Sequence, residues 1–200
     1  MCTGKLTSIT IRPRQCTSFR RRFGQPSGGI HFYEETCYYG GMLEAVVKSK
    51  KEMQKIAGML AKELKPMFSN QAIILALEGN LGSGKTTFTQ GFAHALGVRE
   101  KVSSPTFVLL KIYNFSRAAR FRHLIHIDCY RLDSPKDLLH LGFKNFLADK
   151  DAIILIEWAD RIRKLMPKDS LWLRFQHGSK INERILTISG RPMSKIFMVS

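Results

Sequence analysis

Gly79-Asn80-Leu81-Gly82-Ser83-Gly84-Lys85-Thr86, followed by Thr87, sets out residues whose types and spacing suit phosphate chemistry. A glycine, four residues and Gly-Lys-Thr is the pattern of a phosphate-binding loop. Glycines let the backbone turn tightly and aim its N–H groups at one point. The ammonium of Lys85 can reach the outer phosphates of a nucleotide, and the Thr86 hydroxyl can ligate Mg²⁺. Two acids follow at the ends of apolar runs. His123-Leu124-Ile125-His126-Ile127-Asp128 ends on Asp128, and Ala152-Ile153-Ile154-Leu155-Ile156-Glu157 ends on Glu157 with Trp158 beside it. A carboxylate at a buried strand end must be satisfied, and a divalent cation would do so. Glu157 ends the longer apolar run and is the metal candidate. Asp128 is the candidate for orienting water or for an outer metal shell, against the plainer reading of an Asp that caps a turn.

These residues need a frame. Ala72-Ile73-Ile74-Leu75-Ala76-Leu77 is a continuous apolar run, as expected of a parallel strand covered on both faces. Thr86 to Leu96 reads as a helix with Phe88, Phe92, Ala95 and Leu96 on one face and Gly97 as its stop. Strand, glycine loop and helix thus occur in the order a phosphate site requires. Upstream, Ser49-Lys50-Lys51-Glu52 fits a capping box. It predicts a helix with Met53, Ile56, Ala57, Leu60 and Leu64 on its apolar face, ended near Pro66. Downstream, Val108 to Tyr113 is a strand candidate, and Pro135 to Phe146 a helix broken near Gly142. Leu171 to Phe175 and Arg184 to Ile188 alternate and predict an antiparallel hairpin at the sheet edge. Ser103-Ser104-Pro105-Thr106-Phe107 is rich in hydroxyls; it reads either as an ordinary loop or as a segment that feels a terminal phosphate, and the residues alone favour the loop.

The whole predicts an α/β fold, a P-loop NTPase-like sheet with flanking helices and an antiparallel C-terminal edge hairpin. The 200 residues suit one such domain over 42–190, and 44% hydrophobic content is that of a globular chain. No apolar run approaches the ~20 residues of a membrane helix. Cys2, Cys16, Cys37 and Cys129 have no metal-ligand spacing, which points to free thiols in a reducing compartment and a cytoplasmic setting. Residues 1–41 show no lasting period and hold six basic residues against two acids, leaving +12 of the formal +16 to the rest. They are expected to be a disordered or non-native extension ahead of Met42, with an organellar presequence as the second reading. Residues 191–200 carry no clear signal. A basic folded part suits either solubility or a polyanionic partner such as RNA.

The set Gly79–Thr87 with its double Thr, Ser104-Pro105-Thr106-Phe107, His126-Ile127-Asp128-Cys129-Tyr130-Arg131-Leu132, Leu141-Gly142-Phe143 and Ile156-Glu157-Trp158 resembles the bacterial TsaE (YjeE) family over about residues 49–190. The resemblance implies an ATP- and Mg²⁺-binding ATPase acting with TsaD- and TsaB-like proteins. Those partners transfer the threonylcarbamoyl group to the adenosine beside the anticodon of tRNA, and the TsaE-like subunit hydrolyses ATP to reset the complex. By motif, it implies Leu81, Gly82, Ser83, Gly84, Lys85, Thr86, Thr87 and Trp158 at the nucleotide. It implies Thr86 and Glu157 at Mg²⁺, with Asp128 and Thr87 assisting hydrolysis.

A P-loop small-molecule kinase is the alternative. It would share the loop but need a mobile Arg-rich lid, for which Arg161-Ile162-Arg163-Lys164 is the candidate. No Asn-Lys-x-Asp guanine motif occurs, which disfavours a GTPase. An RNA-binding module would explain the charge but not two strand-end acids after a phosphate loop.

Overall fold

The computed structural model describes residues 10–11, 42–64, 69–115 and 121–190. Apart from Thr10–Ile11, the expected 1–41 extension lies outside them, as do Pro66, most of the basic turn at 117–122 and the tail 191–200. In chain order the elements are β1 (Thr10–Ile11), β2 (Met42–Val47), α1 (Lys50–Leu64), β3 (Ile73–Gly79), α2 (Lys85–Leu96), β4 (Leu110–Asn114) and β5 (His123–Asp128). Then come α3 (Pro135–His140), α4 (Phe143–Ala148), β6 (Ala152–Glu157), a 3-10 segment (Ala159–Leu165), β7 (Leu171–His177) and β8 (Arg184–Ser189).

Among the described residues the strands form one mixed sheet in the order β1-β2-β8-β7-β3-β6-β5-β4. The centre is parallel: β3 pairs with β6 and β7, and β6 with β5. The margins, β4 on one side and β8, β2 and β1 on the other, run antiparallel to their neighbours. Helices cover both faces of the centre, which is why β3 and β6 are apolar at successive positions. Side chains alternate between faces. Leu75, Leu77, Leu155 and Phe175 enter one layer with Phe88 and Phe92 of α2 and Met53, Ile56 and Leu60 of α1. Ile74, Ala76, Ile125, Ile154 and Ile156 enter the other with Leu138 of α3 and Phe143 of α4. In the first layer Phe88 stacks on Phe92 at 6.0 Å and meets Phe175 edge-on at 5.6 Å. Truncating a ring buried this completely costs about 3–5 kcal/mol.

The local expectations meet the structure closely, with three differences. First, α1 is capped as expected by Ser49, whose hydroxyl accepts from the Glu52 amide at 3.1 Å. Glu52, however, reaches back one residue further and accepts from the Lys48 amide at 2.7 Å. Second, β4 starts at Leu110 instead of Val108, because Leu109 holds a left-handed φ of 65° and its amide closes a turn on the Pro105 carbonyl at 2.7 Å. Third, the predicted hairpin forms as β7 and β8, but β2 pairs with β8 along its whole length, so the hairpin is not itself the edge of the sheet. Both strands of the hairpin alternate in sequence, as a half-covered sheet requires; β2 is as long as β8, but its partner lies at the other end of the domain, so its pairing does not show locally.

The break near Gly142 is as predicted. Gly142 sits at φ 81° between α3 and α4, where any other residue would be strained. Glycine also decides how α1 and α2 meet: a Cβ on Gly91 would lie 2.6 Å from the Gln54 Cα, so at this point the two helices pack backbone against backbone.

Candidate nucleotide-binding site

The central parallel strands bring their carboxyl ends to one side of the sheet, where ligands of open α/β folds bind. Here β3 runs into the glycine loop, and the loop runs into α2. Gly79, Gly82 and Gly84 take φ of 147°, 73° and 105°. At Gly79 space is the stronger constraint, because the Phe175 carbonyl oxygen occupies the place a Cβ there would take. The first turn of α2 has no side-chain cap and no acid, so its free N–H groups and its positive dipole end face the loop. Such a terminus suits an anion. Ser83 Oγ is buried in the loop and has no hydrogen-bond partner among the described residues.

Lys85 is the first residue of α2 and is buried. Its Nζ donates to the Gly79 carbonyl at 2.7 Å and the Asn80 carbonyl at 3.0 Å. The ammonium also lies 3.8 Å from the centre of the Trp158 ring, a cation–π contact. Burial lowers the Lys85 pKa from its ordinary value, opposed by the negative fields of Glu157, Asp128 and Asp160. Trp158 reaches the lysine because the chain leaves β6 through a left-handed turn at φ 58°.

Glu157 is 2% exposed, so its carboxylate must be satisfied from within. Thr86 Oγ1 lies 3.0 Å from Oε2. Thr89 Oγ1 at 3.3 Å and His126 Nε2 at 3.1 Å approach Oε1. Asp128 is the direct register neighbour of Glu157 across the parallel β5–β6 pair. Its Oδ2 accepts from the hydroxyls of Ser104 and of Thr106, the latter at 2.8 Å, and its Oδ1 accepts from the Tyr130 amide at 2.9 Å. The hydroxyl-rich segment runs as a loop into β4, as the residues alone suggest, and two of its hydroxyls are tied to the acid at the end of β5.

The sequence-predicted residues thus converge. Lys85, Thr86, Glu157, Asp128 and Trp158 gather at the strand ends around the loop of Leu81, Gly82, Ser83 and Gly84. Leu81 is largely exposed at the rim. Thr87 is half-buried on α2, and among the described residues its side chain has no hydrogen bond to either acid. Thr89 and His126 were missed. Their signals were present: Thr89 is a polar residue four positions after Lys85 on a buried helix face, and His126 shares the face of β5 that Asp128 occupies.

The donor set fits a magnesium nucleotide. Among the described residues no group of three or more His, Cys, Asp or Glu side chains could hold a metal by itself. One carboxylate and one hydroxyl, Glu157 and Thr86, are the hard oxygen ligands that Mg²⁺ takes when phosphates and water complete its shell. The basic run proposed as a kinase lid is anchored instead. Arg161 donates to the Tyr130 and Leu132 carbonyls, Ile162 is buried, and Arg163 pairs with Glu78.

Fold and site together define a P-loop NTPase-like protein. The family model described as "Threonylcarbamoyl adenosine biosynthesis protein TsaE" matches residues 47–186. The chain belongs to the TsaE family, which takes part in threonylcarbamoyladenosine biosynthesis in tRNA. Among curated relatives, the tRNA threonylcarbamoyladenosine biosynthesis protein TsaE of Bacillus subtilis is 35% identical over 64% of this chain and 75% of its own length. Its namesake in Rickettsia prowazekii is 38% identical over 60% of this chain and 76% of its own length. The crystal structure of Bacillus subtilis YdiB superposes with a TM-score of 0.61 at 29% identity, covering 78% of this chain and 90% of that one. Among the described residues no helix is long and apolar enough to cross a membrane.

Proposed function

We propose that this chain binds ATP with Mg²⁺ and hydrolyses it in the cytoplasm, supporting threonylcarbamoyl transfer to the adenosine beside the anticodon of tRNA. It does so with TsaD- and TsaB-like partners. The observation that carries the proposal is the convergence of Lys85, Thr86, Glu157 and Asp128 on one uncapped helix terminus at the carboxyl ends of parallel strands.

Each residue then has a task. The loop amides and Lys85 bind the phosphates; Lys85 exchanges its two carbonyl partners for phosphate oxygens, which are stronger partners because they are charged. Thr86 Oγ1 and Glu157 Oε2 would hold Mg²⁺. When bound, the ion would supply positive charge that offsets the negative charge developing as the terminal phosphoryl group leaves. Asp128 accepts a proton or a hydrogen bond from the attacking water, and the Ser104 and Thr106 hydroxyls fix the orientation of its carboxylate. Trp158 and Tyr130, 5.0 Å apart, wall the site on the side of the lysine.

The test is phosphate release from ATP by the full chain, alone and with purified TsaD- and TsaB-like proteins, alongside threonylcarbamoyl transfer to tRNA in the same mixture. Turnover that depends on Mg²⁺ and rises with the partners supports the proposal. ATP hydrolysis absent under all conditions, or tRNA modification through many turnovers without this chain, overturns it.

A further inference from the structure

We infer that His126 is a positioning residue for Glu157: it pins one carboxylate oxygen inside the core so that the other is presented to the metal position beside Thr86. The inference rests on the Mg²⁺-nucleotide reading above and deepens it.

His126 is completely buried in β5 on the same face as Asp128. Its Nε2 lies 3.1 Å from Glu157 Oε1. A carboxylate only accepts, so Nε2 carries the proton and donates. Nδ1 is buried and has no partner among the described residues. With the proton on Nε2, Nδ1 presents only a lone pair; an N–H in that place would be a buried orphan donor. The tautomer is thereby fixed by the surroundings, and it is the one that serves Glu157.

Thr89 does not make His126 redundant. Its hydroxyl has one proton and two acceptors in reach, the Lys85 carbonyl at 3.0 Å and Glu157 Oε1 at 3.3 Å. The shorter contact is the helical one, so the steady donor to Oε1 is the imidazole. The ring has little freedom to turn away. Tyr113, also fully buried, packs on it with ring centroids 6.4 Å apart. With Oε1 held below, Oε2 is left facing Thr86 Oγ1 at 3.0 Å. Without His126 the carboxylate could rotate and offer either oxygen, or draw Thr86 into a purely internal pair. Partners that orient metal ligands in this way typically alter metal affinity 10- to 100-fold when removed.

The experiment compares wild type with His126→Gln, His126→Asn and His126→Phe as full chains, each checked for folding by circular dichroism. ATP affinity is measured calorimetrically in excess EDTA and across a Mg²⁺ titration. Gln can place an amide N–H near the position of Nε2; Asn is too short to reach Oε1, and Phe has no donor. The expected result is an unchanged EDTA affinity in all variants. The apparent Mg²⁺ affinity should weaken about 10-fold or more in His126→Phe and His126→Asn and recover most of the way in His126→Gln. If Phe does not fold, the Gln–Asn pair decides. Equal Mg²⁺ dependence in Gln and Asn, or wild-type Mg²⁺ dependence in a folded Phe variant, overturns the inference and leaves the site reading standing. If wild-type ATP affinity itself ignores Mg²⁺, the metal-site reading and this inference fall together.

Discussion

Asp128 and Glu157 are register partners at the carboxyl ends of adjacent parallel strands, yet among the described residues they share no hydrogen-bond partner. Asp128 faces the Ser104 and Thr106 hydroxyls; Glu157 faces Thr86, Thr89 and His126. Two carboxylates this close would repel unless each had its own donors, and the fold supplies a separate set to each.

That separation predicts separable phenotypes. Glu157→Gln should weaken Mg²⁺-dependent nucleotide binding by at least tenfold, because it replaces the oxygen beside Thr86 with a weaker ligand. Asp128→Asn should leave Mg·ATP affinity within about twofold and slow partner-stimulated hydrolysis by about 10²-fold or more, the usual scale for losing a positioned proton acceptor. Calorimetric binding and turnover measured on both variants check this. The reverse pattern would exchange the two roles.

Gly79 supports a prediction about stability. Its φ of 147° and the Phe175 carbonyl, which occupies the place a Cβ would take, leave no room for a side chain between β3 and β7. Gly79→Ala should cost about 2–4 kcal/mol in urea denaturation, through backbone strain and separation of the two strands. A loss below about 0.5 kcal/mol would show that the loop can shift without penalty.

Cys129 directly follows Asp128 and is fully buried in the layer with Ile127 and Ile156, and its amide donates to the Glu157 carbonyl at 3.0 Å. Burial, with the charge of Asp128 beside it, pushes its thiol up to about 12 from 9.0. The thiolate is the reactive form, so iodoacetamide at pH 8 should leave Cys129 unlabelled in the folded protein and label it in denaturant, read by peptide mass spectrometry. The sign of the stability effect follows: the folded state keeps the proton longer, so this group's contribution falls as pH rises from about 9 to 12. Rapid native labelling would contradict the burial.

The site was legible in sequence because its strongest signals are local. The glycine spacing, the uncapped start of α2 and the acids closing β5 and β6 all show within a few residues. What was not legible depends on distant partners. Ser104 and Thr106 gain meaning only from Asp128, more than twenty residues on. His126 looks like one more alternating position until β6 brings Glu157 beside it. Likewise β2 is a six-residue strand whose assignment rests on pairing with β8, about 140 residues later. Leu109, apolar and next to a strand, gave no sign that it would take a left-handed turn.

The most direct test of the account is the affinity of the folded chain for Mg·ATP in wild type and in Lys85→Ala, measured by titration calorimetry. Lys85 is buried, pinned to the loop carbonyls of Gly79 and Asn80 and held under Trp158, where its one task on this reading is to meet the outer phosphates. The account predicts saturable Mg·ATP binding by wild type and a loss of at least about 100-fold in the variant, the scale of removing a charge-assisted partner from a buried phosphate site. Equal affinity in a folded Lys85→Ala protein would contradict it.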